Sequence, residues 1–122
     1  MVKILVAEDD QDIRDLIALT LQFNGFEVNT VENGALAVEA AQNGRYDLIL
    51  MDVRMPRMTG YEACRRLKES DQTSNIPVIF LSAKGQETEI QTGLDAGAQQ
   101  YVLKPFAPDE LINTINQVLQ HG

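Results

Sequence analysis

The sequence has few of the residues that carry redox or zinc chemistry. Its 122 residues include one cysteine, Cys64, one histidine, His121, and no tryptophan. A single cysteine cannot form an internal disulfide, and its ordinary role is that of a partly buried small residue. Because zinc sites are built largely from cysteine and histidine, the composition disfavours a zinc site.

Long apolar runs and an excess of positive charge are also missing. No apolar run approaches the roughly 20 residues of a membrane span, and no signal peptide is visible. Ten lysines and arginines against 18 acidic residues give a formal net charge of −8. This charge argues against binding of nucleic acid or of an anionic membrane through net charge. We therefore expect a soluble cytoplasmic protein that binds neither directly.

What is present is enough apolar sequence, 44% of the residues, for the core of one domain spanning 1–122. Short apolar segments alternate with amphipathic segments. This alternation is typical of parallel strands joined by helical crossovers. Strands are predicted at 3–7, 26–31, 47–51, 77–81 and 100–103, and helices are predicted to begin near 12, 36, 61, 86 and 108.

Polar and charged side chains follow four of the five predicted strands. The carboxyl ends of parallel strands meet at one edge of a sheet, and ligands bind there. Packing alone requires no such set of side chains at that edge. They are Glu8, Asp9 and Asp10 after the first strand, Asp52 after the third, Ser82 after the fourth and Lys104 after the fifth.

This combination of groups suits a phosphoryl group held beside Mg²⁺. Clustered carboxylates repel one another unless a cation relieves them, and oxygen ligands in a half-open site suit Mg²⁺. An amine and a hydroxyl can stabilise anionic oxygens, and a carboxylate can itself form an acyl phosphate. Each residue alone has an ordinary role, as a helix cap, a turn residue or a surface lysine. Only their joint placement favours a site.

Five segments and one glycine form a combined pattern. They are ILVAEDD at 4–10, DLILMDVRMP at 47–56, Gly60, PVIFLSA at 77–83, GLDAGA at 93–98 and YVLKPF at 101–106. In this order, over essentially the whole chain, they resemble the receiver domain of bacterial two-component response regulators, including chemotaxis regulators. The resemblance implies a flavodoxin-like α/β fold. Such a fold has a doubly wound, five-stranded parallel sheet of strand order 2-1-3-4-5, with five helices.

The resemblance also implies which residues bind metal and phosphate. Asp52 is expected to accept the phosphoryl group. Glu8 and Asp9 are expected to hold Mg²⁺ together with Asp52, Asp9 directly and Glu8 through water. Arg54 is expected to give its backbone carbonyl to the metal.

Three further roles follow from the resemblance. Lys104 and Ser82 are expected to contact the phosphoryl group, and the Lys104–Pro105 peptide bond is expected to be cis. Ser82 and Tyr101 are expected to form a switch that responds to phosphorylation. Ser82 stands where threonine is commoner, so the hydroxyl is kept and a methyl group is lost.

Two cations stand two residues beyond site residues, Arg54 after Asp52 and Lys84 after Ser82. In the family these positions flank the phosphoryl group and influence its lifetime. One hypothesis is that both side chains cover the acyl phosphate and hinder water. The alternative is that they are two solvated cations on an acidic protein.

The resemblance implies a signalling switch rather than an enzyme that turns over a substrate. A sensor histidine kinase or phosphotransfer protein would donate the phosphoryl group. The chain would assist its own phosphorylation and dephosphorylation, and its binding to a downstream effector or a covalently linked output domain would change. Homodimerisation on phosphorylation is a further hypothesis. The sequence does not decide whether the domain stands alone or belongs to a longer chain.

Two alternatives remain from the residues themselves. One is a metal-assisted phosphatase with an aspartyl-phosphate intermediate, although such enzymes usually need a cap or a second acid. The other is a flavin or nucleotide module, which needs a Gly-rich or Ser/Thr-rich loop after the first strand. The acidic loop 8–10 would repel a phosphate in the absence of metal.

Overall fold

The chain folds into a parallel sheet with helices on both faces. The computed structural model describes residues 1–83 and 87–121. The strands run in the order β2-β1-β3-β4-β5, and every neighbouring pair is parallel. The predicted fold class and strand order are therefore confirmed. The elements are β1 (Lys3–Ala7), α1 (Gln11–Phe23), β2 (Glu27–Val31), α2 (Gly34–Asn43), β3 (Leu48–Asp52), α3 (Gly60–Glu69), β4 (Val78–Ala83), α4 (Glu87–Asp95), β5 (Gln100–Lys104) and α5 (Pro108–His121).

The predicted boundaries differ most at the strands that carry polar side chains. β3 includes Asp52 as its last residue, and β4 continues through Ser82 to Ala83. The reason is backbone pairing: Asp52 pairs with Leu81, and the amide of Val53 still donates to the carbonyl oxygen of Leu81 at 3.2 Å. An apolar pattern shows which side chains are buried. It does not show where a strand ends, because the backbone hydrogen bonds of a strand can include a polar residue.

Each face of the sheet has its own core. Ile49 and Met51 face α2 and α3, while Leu48 and Leu50 face α1 and α5. All five residues of β3 are buried, as expected for a central parallel strand covered on both sides. Because side chains alternate along a strand, Asp52 projects on the same side as Leu48 and Leu50, towards α1 and α5.

Three helices begin at a side chain that caps the first turn. The carboxylate of Asp10 accepts from the amide of Ile13 at 3.1 Å. Asn33 caps α2 and Thr59 caps α3 in the same way. Such caps stabilise a helix by about 1 kcal/mol each. Asp10 therefore has the ordinary helix-capping role that the sequence allowed for it.

The start of α3 lies against the end of β3. A Cβ atom on Gly60 would overlap the backbone oxygen of Asp52 and stand 3.0 Å from the Cα of Val53. Both are backbone atoms and cannot move aside, so only glycine fits. The amide of Gly60 also donates to the carbonyl of Val53 at 3.0 Å. The loop between β3 and α3 is therefore closed tightly behind Asp52.

Helix α1 carries an exposed apolar stripe. Leu16, Leu19 and Phe23 are 57%, 65% and 92% exposed, while Ile17 and Leu21 are fully buried on the opposite side. The three exposed residues follow the spacing that places side chains along one face of a helix. In the described part of the chain, no helix has the length and apolar character needed to cross a membrane.

Candidate functional site

Strand register brings three functional side chains to one corner of the sheet. The pairing of β1 with β3 places Glu8, which follows β1, beside Asp52. β5 ends at Lys104, which pairs with Ala83 at the end of β4. Neighbouring residues of a parallel sheet share a face, so Glu8, Asp52 and Lys104 all project towards α1 and α5. Lys104 lies two strands from Asp52, about 10 Å across the sheet, and only a long side chain spans that gap.

The ammonium group of Lys104 lies between two buried carboxylates. Its Nζ donates to Oε1 of Glu8 at 2.6 Å and stands 3.4 Å from Oδ2 of Asp52. The Glu8 side chain is 1% exposed and that of Asp52 is 10% exposed. Removing one partner from such a buried group leaves an uncompensated charge, which is strongly destabilising. Lys104 therefore holds both acids in place.

A third carboxylate completes an acidic cluster. Glu8, Asp9 and Asp52 each offer one oxygen, and these oxygens lie within 4.8 Å of one another. Asp9 is exposed and the other two are buried, so the cluster opens to solvent on one side. The backbone amide of Arg54 donates to Oδ1 of Asp52 at 3.3 Å and holds that carboxylate from behind.

The donor set of the cluster fits Mg²⁺. One ammonium group cannot balance three carboxylates when all are ionised, so a divalent cation would complete the charge balance. All the available ligand atoms are oxygens, and the open side leaves room for the waters that Mg²⁺ retains.

Burial controls the ionisation of the cluster. The pKa of Glu8 is raised to about 7, chiefly by burial and also by the hydrogen bond and negative charge of Asp52, against the opposing effect of Lys104. Burial alone would lower the pKa of Lys104, but the hydrogen bond to Glu8 and the charge of Asp52 outweigh burial and raise that pKa. Lys104 is therefore a cation at neutral pH, while ionised Glu8 is disfavoured until a further cation relieves it.

A buried hydroxyl lies at the carboxyl end of β4. Ser82 follows Leu81, the partner of Asp52 in the sheet, and is 2% exposed. Within residues 1–83 and 87–121, its Oγ has no hydrogen-bond partner. A buried polar group without a partner costs about 1–3 kcal/mol. Such a hydroxyl fits a site in which an anionic oxygen beside Asp52 becomes its partner.

The remaining predicted residues occupy different places. Tyr101 lies on β5, is 36% exposed and lines a cavity of about 210 Å³ with residues of β5 and α5, including Glu110. Tyr101 is not part of the carboxylate cluster. Lys84 lies outside the described residues. The Lys104–Pro105 peptide bond is cis, as predicted.

Sequence reasoning missed Arg14, the third residue after Gln11 in α1. Its guanidinium Nη1 donates to the backbone carbonyl of Glu8 at 2.8 Å. One sequence signal was available: Arg14 is the single base among five acids in residues 8–15. A cation in so acidic a segment is expected to find a partner within it.

The match to a protein family shows which family the chain belongs to. Residues 4–116 match the model of the response regulator receiver domain. The chain belongs to this family. Receiver domains function in signalling and bind Mg²⁺ at an acidic site, and the cluster of Glu8, Asp9 and Asp52 fits that magnesium and phospho-aspartate site.

Curated relatives are regulators. Response regulator MprA of Mycobacterium sp. (strain KMS) is 38% identical over 119 residues, which are 98% of this chain and 51% of that protein. The phosphate regulon transcriptional regulatory protein PhoB of Pseudomonas aeruginosa is 40% identical over 117 residues, with 96% and 51% covered. The chain thus spans about half the length of these relatives. Because they are regulators, the phosphatase alternative is not favoured.

Solved structures are similar over the full domain. The chemotaxis response regulator CheY4 of Vibrio cholerae has a TM-score of 0.92 at 36% identity, covering 97% of this chain and 98% of that one. The receiver domain of sensor histidine kinase PA1611 of P. aeruginosa has a TM-score of 0.87 at 34% identity, covering 98% and 95%. The PA1611 structure has a magnesium ion coordinated in its active-site cleft.

The raised pKa of Glu8 predicts a pH effect on the metal-free protein. Between pH 4.5, its ordinary pKa, and about pH 7, folded Glu8 keeps a proton that the unfolded chain loses. Its contribution to the free energy of unfolding therefore falls as pH rises through this window. Glu8→Gln removes that contribution, so urea unfolding in a metal chelator should show a pH dependence shifted towards greater stability at higher pH than in the wild type. Glu39→Gln, an exposed site on α2, should behave as wild type, and identical pH dependence in Glu8→Gln and wild type would contradict the expectation.

Proposed function

We propose that Asp52 accepts a phosphoryl group from the phosphohistidine of a sensor kinase or phosphotransfer protein. The observation that carries this proposal is the convergence of Glu8, Asp9 and the Lys104 ammonium on Asp52. A turn aspartate needs none of these neighbours. The relative from P. aeruginosa that coordinates magnesium in its cleft supports the same chemistry.

In the transfer, an oxygen of the Asp52 carboxylate forms a bond to phosphorus while the bond from phosphorus to the donor's histidine nitrogen breaks. The electron pair of the broken bond stays on that nitrogen. The Arg54 amide and Lys104 hold the Asp52 carboxylate in one orientation beforehand, which lowers the entropic cost of the step. Lys104 also stabilises the phosphoryl oxygens by charge.

The magnesium ligands in this proposal are the carboxylates of Asp9 and Asp52, Glu8 through water, and the backbone carbonyl of Arg54. Bound Mg²⁺ neutralises the negative charge of the acids and of the phosphoryl group. For dephosphorylation, a water oxygen forms a bond to phosphorus while the bond from phosphorus to the Asp52 oxygen breaks. Inorganic phosphate carries the water's proton away, the Asp52 carboxylate is restored, and the chain thus assists its own dephosphorylation.

The switch in this proposal begins at Ser82. Its hydroxyl gains a phosphoryl oxygen as partner, and Tyr101 turns inward from its partly exposed position on β5. The surface formed by α4, β5 and α5 changes with it and alters binding to an effector, to a linked output domain or to a second copy of the chain.

Phosphorylation at Asp52 is directly testable. Incubation with Mg²⁺ and a small phosphodonor should add one phosphoryl group to the wild type, as read by intact mass. Asp52→Asn should stay unmodified because it removes the nucleophile, whereas Asp71→Asn, an exposed site outside the cluster, should be labelled as wild type. Equal labelling of Asp52→Asn would overturn the proposal.

Arg54 and Lys84 are proposed to lengthen the life of the acyl phosphate by covering it. The position of Arg54, which is exposed in the loop after Asp52, supports this role. After removal of the phosphodonor, Arg54→Ala and Lys84→Ala should each lose the phosphoryl group several-fold faster than wild type. Arg45→Ala, an exposed arginine before β3, is the control. An unchanged rate of phosphoryl-group loss in both variants would contradict this proposal.

The exposed stripe of α1 is proposed to bind the donor protein. α1 follows Asp10, which is adjacent to Asp9 of the cluster. The stripe therefore runs from about 9 to about 20 Å along the helix from the site. A donor whose histidine reaches Asp52 can cover Leu16, Leu19 and Phe23 at the same time.

Replacing Leu16, Leu19 and Phe23 by alanine should separate donor docking from chemistry. Labelling by a small phosphodonor should not change, because these side chains lie outside the cluster. Phosphotransfer from a histidine kinase that phosphorylates the wild type should fall roughly tenfold or more, since each buried apolar side chain contributes about 1.5–3 kcal/mol. Leu94→Ala on α4 is the control, and unimpaired phosphotransfer to the triple variant would contradict the docking proposal.

A further inference from the structure

The guanidinium of Arg14 holds one particular peptide bond. Its Nη1 donates to the carbonyl oxygen of Glu8 at 2.8 Å, and this carbonyl belongs to the peptide that joins Glu8 to Asp9. The orientation of that peptide sets the directions in which both side chains leave the backbone. A single hydrogen bond thus acts on two members of the acidic cluster.

Few other contacts hold this loop in the described part of the chain. The amide of Glu8 donates to the carbonyl of Val31 at 3.1 Å, which anchors the loop only at its start. The amide of Asp10 donates to Oε2 of Glu8 at 3.3 Å, a long contact. The neighbouring carboxylates of Glu8, Asp9 and Asp52 repel one another. Lys104 offsets this repulsion at the Glu8 and Asp52 side chains, whereas Arg14 restrains the backbone between Glu8 and Asp9.

Arg14 is itself anchored to the loop. Its amide donates to the carbonyl of Asp10 at 2.9 Å as part of the first turn of α1, and Asp10 caps that turn. The Arg14 side chain is half-buried and lines a cavity of about 250 Å³ with Thr30 and Leu36 among others. The side chain, which shares this space with Glu32, therefore borders open space rather than lying in the core.

We propose that Arg14 is a positioning residue for the magnesium site. It fixes the Glu8–Asp9 peptide so that both carboxylates converge on Asp52 before the cation arrives. The inference rests on the proposed function, because it assigns Arg14 to the metal site of that function. Arg14 touches neither the metal nor the phosphoryl group and acts through the backbone of Glu8.

Positioning and simple charge make opposite predictions. A guanidinium near a cation site repels the cation, so removal of Arg14 would tighten Mg²⁺ binding if charge alone mattered. If Arg14 acts by positioning, its removal weakens Mg²⁺ binding, because part of the binding free energy is then used to order the carboxylates. The sign of the change therefore separates the two effects.

The test is calorimetric titration of the unphosphorylated chain with MgCl₂, with thermal unfolding in a chelator as the measure of stability. Arg14→Met should weaken Mg²⁺ binding by about tenfold or more, the effect of one lost hydrogen bond from a charged donor. Arg14→Lys, which keeps the charge and one donor, should fall between Arg14→Met and wild type. Arg66→Met on α3 removes an arginine whose partner is Glu62, and it should bind Mg²⁺ as wild type.

Each outcome is decisive. Weaker binding by a folded Arg14→Met variant supports the inference, and equal or tighter binding overturns it. If Arg14→Met does not fold in the chelator, Arg14→Lys decides in the same way. A wild-type chain that does not bind Mg²⁺ overturns the proposed function and this inference together, whereas wild-type binding with unchanged affinity in the variants overturns this inference alone.

Discussion

The ammonium group of Lys104 is the constraint on which the rest of the site depends. Two carboxylates from different strands are buried beside each other, which is unfavourable unless a cation accompanies them. That cation comes from 96 residues further along the chain than Glu8. The contact therefore exists only when β1, β3, β4 and β5 are aligned in their observed register. A slip of one residue in any of these strands would turn the side chains to the other face.

The same contact leaves part of the negative charge of the carboxylates unbalanced. Lys104 offsets part of the negative charge, and the ionised form of Glu8 stays disfavoured because burial and the neighbouring Asp52 raise its pKa to about 7. A divalent cation completes the balance and can leave again, which a second buried lysine could not do. The Ser82 hydroxyl, which has no hydrogen-bond partner among residues 1–83 and 87–121, is likewise free to accept or donate a further hydrogen bond. The unbalanced charge and the buried hydroxyl thus lower the stability of the fold at this site.

Sequence reasoning succeeded where periodicity and strand ends carry the information. The alternation of apolar segments predicted the sheet, and the carboxyl ends of the strands located Glu8, Asp52 and Lys104. Strand position alone could not choose between Asp9 and Asp10, because both follow β1, and only the family resemblance assigned the metal to Asp9. The structure separates them, since Asp10 caps α1 while Asp9 joins the cluster. Arg14 was missed because a side chain that bonds to a backbone carbonyl leaves no periodic pattern.

Helix α1 connects the acidic loop 8–10 to the exposed apolar stripe. Its first turn carries the cap of Asp10 and the contact of Arg14 with Glu8, and its outer face carries the stripe that ends at Phe23. A protein that docks on this stripe acts on the same rigid helix that orders the loop. If the docked state favours the ordered loop, docking raises the affinity for Mg²⁺, and by linkage Mg²⁺ raises the affinity for the docked protein by the same factor. Donor recognition and metal binding are then two effects of one helix position.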